Sequence, residues 1–189
     1  MNLKRNEIKL CGRINFDPPD KTNKHMEQSS WKRVAVIVFD CEVCEYYSWF
    51  INKRFNIKLL KPIRGAHITF INDKEKDTNG NWEDVKDRWN SKTIEVILNV
   101  EPKTDSAEFK KSKQTHNWWL NIPEEHRDEI QSIRNELNLG TPYFTPHMTI
   151  GRAENFKIKS NIGAARAKNM NVEQSIYIHN LIKKRFIKF

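Results

Sequence analysis

The sequence predicts an α+β fold. Three observations predict it. β-branched runs are short enough to be strands. Between them lie stretches with an apolar residue every three or four positions, the period of a half-buried helix. Twice the chain runs strand, helix, strand, and both times the closing strand starts with a histidine, His67 and then His147. This repeat of pattern, without a plain repeat of sequence, points to two similar halves with a cleft between them.

In chain order, a short strand is expected within residues 1–12. Residues 13–30 are polar and carry Pro18 and Pro19, so they read as a loop. Val34–Phe39 is a continuous apolar run and the clearest strand. Asp40 is placed to cap a helix to about Phe55, with Val43, Tyr47, Phe50 and Ile51 on one side. Pro62 and Gly65 then break the chain before a strand at Ala66–Ile71. The cluster at 72–81 is a turn, and Trp82, Val85 and Trp89 give a short helix its stripe. Thr93–Val100 is a strand, 101–115 a polar connection, and His116–Ile122 a further strand. Pro123 suits a first helical turn, with Glu124, Glu125 and Asp128 on the positive end of the helix dipole. Ile130, Ile133 and Leu137 face inward there, and Gly140 is expected to end the helix. Pro146 leads into a strand at His147–Ile150. The tail alternates from about Ser175 and closes on Lys183, Lys184, Arg185 and Phe186.

The 189 residues suit one domain, or two small lobes sharing a core, roughly 30–100 and 101–182. Hydrophobic residues make up 38% and charged residues 30%, enough for a core under a wet surface. Mean hydropathy is -0.78. The longest apolar run, Val34–Phe39, is far short of the roughly 20 residues that span a bilayer. The N-terminal stretch lacks the apolar segment of a secretory signal. Three cysteines (Cys11, Cys41, Cys44) are too few for a disulfide framework, so a reducing cytoplasm is expected. Against 24 acidic residues stand 33 Lys plus Arg, a formal charge of +9. Such an excess attracts phosphate-rich ligands.

The chemistry is expected in two short segments, His67-Ile68-Thr69-Phe70 and His147-Met148-Thr149-Ile150. Side chains alternate along a strand, so each histidine shares a face with the threonine two positions on. The apolar residues between them dock the opposite face on helices. With six histidines in the whole chain, two such matches in the same apolar context are rarely met by chance. Two imidazoles on one cleft suit general acid–base work near neutral pH, one taking a proton and the other giving one. Two hydroxyls beside them can hold the nonbridging oxygens of a tetrahedral phosphate. The sequence carries no Gly-x-Ser-x-Gly elbow, HExxH helix or P-loop. Metal-free phosphodiester cleavage, with no cofactor, is the reading that follows.

The duplicated His-x-Thr motif, its histidines 80 positions apart, resembles that of the two-histidine (2H, LigT-like) phosphoesterase superfamily. The element pattern is similar over residues 34–182, and only the two tetrapeptides match at residue level. The resemblance implies a bilobal, pseudo-two-fold α+β fold. In it, two antiparallel sheets flank a central cleft, helices lie outside, and terminal strands can be exchanged between lobes. It implies metal-independent action on 2′,3′-cyclic, 2′,5′- or 3′,5′-linked phosphodiesters, with His67, Thr69, His147 and Thr149 in the catalytic positions. Expected substrates are cyclic oligonucleotide signals, as for the phage anti-CBASS branch, or RNA with 2′,3′-cyclic phosphate ends. A 2′,5′-oligoadenylate phosphodiesterase is the alternative within the superfamily. Which histidine is base and which acid stays open.

Other residues rank below this pair. One of Trp118 and Trp119 is expected in the core, and the other is free to stack a base. Tyr143 and Phe144 are further stacking candidates. Arg64 and Arg152 flank the histidine strands and can pair with phosphate. Lys110, Lys111, Lys113 and the basic tail read as solvated faces. Glu173 is a weaker candidate for holding a ligand amine. Cys41-x-x-Cys44 opens a helix as redox dithiols do, but lacks their usual setting and reads as inert thiols. No second cysteine pair completes a zinc site. His126 is expected on an exposed helix surface. A non-catalytic nucleotide- or RNA-binding module, and a dithiol oxidoreductase, are the rival classes.

Overall fold

A computed structural model describes residues 4, 6–19, 33–40, 42–55, 58–62, 64–72, 75, 80–104 and 115–154. Cys41, the lysines at 110–113, Glu173 and the tail beyond 154 lie outside the described residues.

The first strand, β1, is Glu7–Phe16, longer than expected. Ile8, Leu10, Ile14 and Phe16 are buried while Cys11 and Arg13 are exposed. That alternation carries the strand through a segment whose polar residues had suggested a loop. Gly12 sits on the buried face, where a Cβ would lie 2.4 Å from Ile37 Cγ2. β1 is flanked on both sides, by β2 (Ala35–Val38) and by β4 (Thr93–Asn99), all antiparallel. β3 (His67–Ile71) pairs with β2. β7 (His147–Glu154) pairs with β6 (Thr115–Asn121), which pairs with the two-residue β5 (Lys103–Thr104).

The whole is one curled antiparallel sheet in the order β4-β1-β2-β3-β7-β6-β5. Two separate sheets were expected. Instead β3 and β7 lie edge to edge and join at Ile68↔Met148. Left apart, each would present a row of unpaired backbone groups, so the meeting of two inner edges is the favourable outcome. The joint is slight, with one register pair.

Among the described residues, three helices cover one face: α1 (Val43–Phe55), α2 (Trp82–Trp89) and α3 (Asp128–Glu136). Val43, Tyr47 and Ile51 are fully buried, as are Ile133 and Leu137. Each larger helix packs against the strands of the other half. From α1, Cys44 Sγ contacts the Thr149 carbonyl at 3.4 Å, so the helix lies behind β7. From α3, Arg134 reaches the Phe70 carbonyl on β3 at 2.7 Å. Just before α3, a 3-10 turn at Glu124–His126 places His126 against Glu7 of β1, Nε2 to Oε1 3.2 Å. His126 is therefore half-buried, its side chain only 8% exposed, and not the surface residue expected. Gly140 does not end α3. The helix stops at Glu136, and Asn138 takes the left-handed conformation, φ 53°, that closes it.

Among the described residues, no helix is long and apolar enough to cross a membrane.

Candidate active site

β3 and β7 are central in the sheet order, and each opens with its histidine. Ile68, Phe70, Met148 and Ile150 are fully buried toward the helices. His67, Thr69, His147 and Thr149 are half-buried on the other face. All four line one cavity of about 290 Å³, together with Asn72, Tyr143 and Phe144.

The two imidazoles are held alike. His67 Nδ1 lies 3.1 Å from the Gly65 carbonyl and His147 Nδ1 2.7 Å from the Thr145 carbonyl, in both cases two residues upstream. A carbonyl only accepts, so each Nδ1 carries its proton, and Nε2 is the atom left to exchange one. Gly65 turns the chain with φ 71°, a conformation that favours glycine, and so brings its carbonyl under the ring. Burial holds the His67 imidazole below its ordinary pKa. The Gly65 hydrogen bond opposes this, while the nearby charges of Arg64 and His147 act with burial.

The aromatic candidates divide. Trp119 stands opposite Thr149 in the register and its ring lies 5.8 Å from that of His147. Partners in register share a face, so Trp119 is on the cavity side. Trp118, named with Trp119 as a stacking candidate, lies in the core: it is 5% exposed and packs on Phe55, ring centroids 5.1 Å apart. Strand alternation forces its neighbour inward once Trp119 faces out. Tyr143 is 65% exposed and meets the Phe144 ring edge to face at 5.2 Å.

A β-bulge decides where Arg152 points. Trp119 pairs with Thr149 but Trp118 pairs with Gly151, so Ile150 is an extra residue in β7. Beyond it the alternation reverses. Gly151 and Ala153 turn to the core, and Arg152 emerges opposite Asn117 on the face that carries His147 and Thr149. Gly151 has no room for a Cβ, which would lie 2.7 Å from the Leu60 carbonyl. Leu60 bonds Arg152 through both backbone groups at that point, at 2.8 and 3.1 Å. Arg64 is turned aside, with Nη1 donating to the Pro19 carbonyl at 2.7 Å. It acts on His67 through its charge and does not line the cavity.

Asn72 was expected only as part of a turn, yet it lines the cavity. Its backbone N–H donates to Glu75 Oε2 at 3.0 Å. Glu75 in turn binds Arg134, which is 1% exposed. The sequence holds a signal for this. Arg134 falls four residues after Ile130 on the apolar stripe of α3, where a charge needs a buried partner.

Glu7, Glu125 and His126 form the metal-compatible cluster among the described residues, with their ligand atoms within 4.8 Å of one another. Lys4 already pairs with Glu125 there, Nζ to Oε1 2.5 Å, and none of these residues lines the histidine cavity. Cys44 is a buried thiol in no disulfide among the described residues, and its Sγ meets the Thr149 carbonyl.

Comparison of the chain with protein-family models, with curated proteins and with solved structures finds no match.

Proposed function

We propose that the chain is a phosphodiesterase of nucleotide substrates, built on a bilobal two-histidine plan and acting in the cytoplasm. One observation carries this reading. Two imidazoles with Nδ1 anchored in the same way face one cavity, each with a threonine two residues on. His67, kept neutral near pH 7 by its depressed pKa, is the general base. Its Nε2 takes the proton from the attacking oxygen, a water or the substrate's own 2′-hydroxyl. That oxygen attacks phosphorus in line. The leaving oxygen departs with the proton carried by His147 Nε2. Thr69 and Thr149 donate to the nonbridging oxygens as charge builds there. Among the described residues, the cavity is lined by imidazoles, hydroxyls, an amide and aromatic rings, with no carboxylate to hold a hard cation such as Mg²⁺. Trp119, Tyr143 and Phe144 supply ring faces for a base, and Arg152 a cation for phosphate. Cyclic oligonucleotides and RNA with 2′,3′-cyclic ends are the preferred substrates, with 2′,5′-oligoadenylates as the alternative.

The test is chromatography of cyclic di- and trinucleotides, 2′,5′-oligoadenylate and cyclic-ended RNA after incubation with the protein in EDTA. Turnover is expected. His67→Ala and His147→Ala each lose about 10²–10⁴-fold in rate while remaining folded. Ligand bound but returned intact identifies a binding module instead. Full activity in either variant removes the mechanism.

A further inference from the structure

The two histidine strands meet at a single register pair, Ile68↔Met148. Acid–base chemistry across them needs the two rings placed to a fraction of an ångström. Main-chain pairing between the two strands is limited to that joint, so side-chain contacts help to set how far the cavity walls stand apart.

Arg134 is placed to do so. All five of its N–H donors are used, in three directions. Nε and Nη2 donate to the Gly140 carbonyl at 3.0 and 2.7 Å. Nη1 donates to the Phe70 carbonyl at 2.7 Å. Nη1 and Nη2 grip both oxygens of Glu75, at 3.0 and 2.5 Å. Phe70 is the residue after Thr69 on β3. Glu75 also accepts the N–H of Asn72, a lining residue of the β3 wall. Gly140 begins the segment that delivers Tyr143, Phe144 and then His147, which form the other wall. One buried guanidinium thus ties both walls behind the cavity without entering it.

We propose that the Arg134–Glu75 pair is a positioning clamp that sets the spacing of the two histidine strands across the cavity. A charged pair is an odd choice for a site that only needs filling, since apolar residues of similar volume often hold a fold equally well. What they do not reproduce is a planar fork with fixed directions. The kinetic half of the proposal rests on the phosphodiesterase reading. The structural half does not.

Two variants test it: Glu75→Gln, which keeps the shape, and Arg134→Met with Glu75→Leu, which replaces the pair by apolar volume. The first readout is NMR of the His67 and His147 imidazoles through a pH titration. The expected result is displaced ring signals from both histidines, and a His67 midpoint moved toward its ordinary value as the cavity loosens. The second readout is kcat against KM on whichever phosphodiester the wild type cleaves. A fall in kcat of about tenfold or more, with KM changed less, is expected alongside the lower melting temperature that breaking a buried charge pair brings. Unchanged ring signals and unchanged kcat, with only the melting temperature lowered, overturn the clamp and leave a purely structural ion pair. If the double variant does not fold, Glu75→Gln alone decides. If the wild type cleaves nothing, the functional reading fails, and the ring titration still judges the clamp.

Discussion

At the residue scale, the two adjacent tryptophans show how one position separates two roles. Trp119 flanks His147, whereas Trp118 is buried against Phe55. Trp119→Ala is expected to weaken nucleotide binding by about 1–3 kcal/mol, the worth of a stacked base, with the melting temperature little changed. Trp118→Ala is expected to cost about 3–5 kcal/mol of stability, as for other buried aromatics. Isothermal titration with a nucleotide and urea unfolding distinguish the two. His67 makes a pH prediction with a definite sign. Its pKa in the folded protein is depressed, chiefly by burial. The unfolded chain therefore binds the proton more readily, so this residue's contribution to stability is complete above about pH 6.5 and is lost as pH falls through the folded value. Unfolding curves of wild type and His67→Gln should converge in slope above that pH and diverge below it. Parallel curves across the range would show that the ring titrates freely. The threonine and histidine of each segment were legible because alternation in a strand is simple geometry. Which tryptophan faces the cavity was not, since two neighbours in a strand are equivalent until the register is known.

At the scale of elements, the two histidine strands and β2 were visible as short apolar runs, but their edges and neighbours were not, and β5 lay hidden in the stretch read as a polar connection. β1 is a clear case. Arg13, Asn15 and the prolines after them suggested a loop, whereas Ile14 and Phe16 continue the buried face. The strand persists because β2 takes over the pairing at Arg13–Phe16 where β4, paired with Glu7–Arg13, leaves off, and paired backbone outweighs the low strand preference of a few polar residues. Gly12 marks how closely the chain packs there. Gly12→Ala would push a methyl within 2.4 Å of Ile37 Cγ2 and 2.7 Å of Phe39. Overpacking of this kind costs about 1–3 kcal/mol, read as a lower midpoint in urea with an unchanged slope. A midpoint equal to wild type would mean that β1 and β2 yield at that contact. The bulge at Ile150 is the second element-scale feature hidden from pattern reading. A strict two-residue period sends Arg152 to the helix face. The extra residue returns it to the face of His147 and Thr149. Bulges re-aim side chains in this manner beside functional sites.

At the scale of the molecule, the halves of the sequence are not independent. α1 packs behind β7, α3 reaches β3 and α2, and the 3-10 turn before α3 reaches β1. A fragment of residues 1–104 would keep β1 to β4 but lose the cover that α3 gives to Phe70 and the β7 edge that completes β3. Such a fragment is expected to show collapsed amide dispersion by NMR, and a well-dispersed spectrum would contradict the exchange of helices. The same exchange explains why two sheets were expected and one is found. The repeat of strand, helix, strand is readable along the chain, but nothing local says that the two histidine strands share an edge.

By itself the sequence determined the α+β class, the helix stripes, and the pairing of each histidine with a threonine on one face. Those follow from short-range periodicity, and the chain carries them wherever it folds. Only the tertiary structure decided that the two faces meet, that Trp119 and Arg152 join them, and that Arg134 ties their walls. Those depend on register, a bulge and an exchange of helices between halves, all of them contacts between residues far apart in the chain. No periodicity encodes such contacts, because their energy exists only once the partners have been brought together.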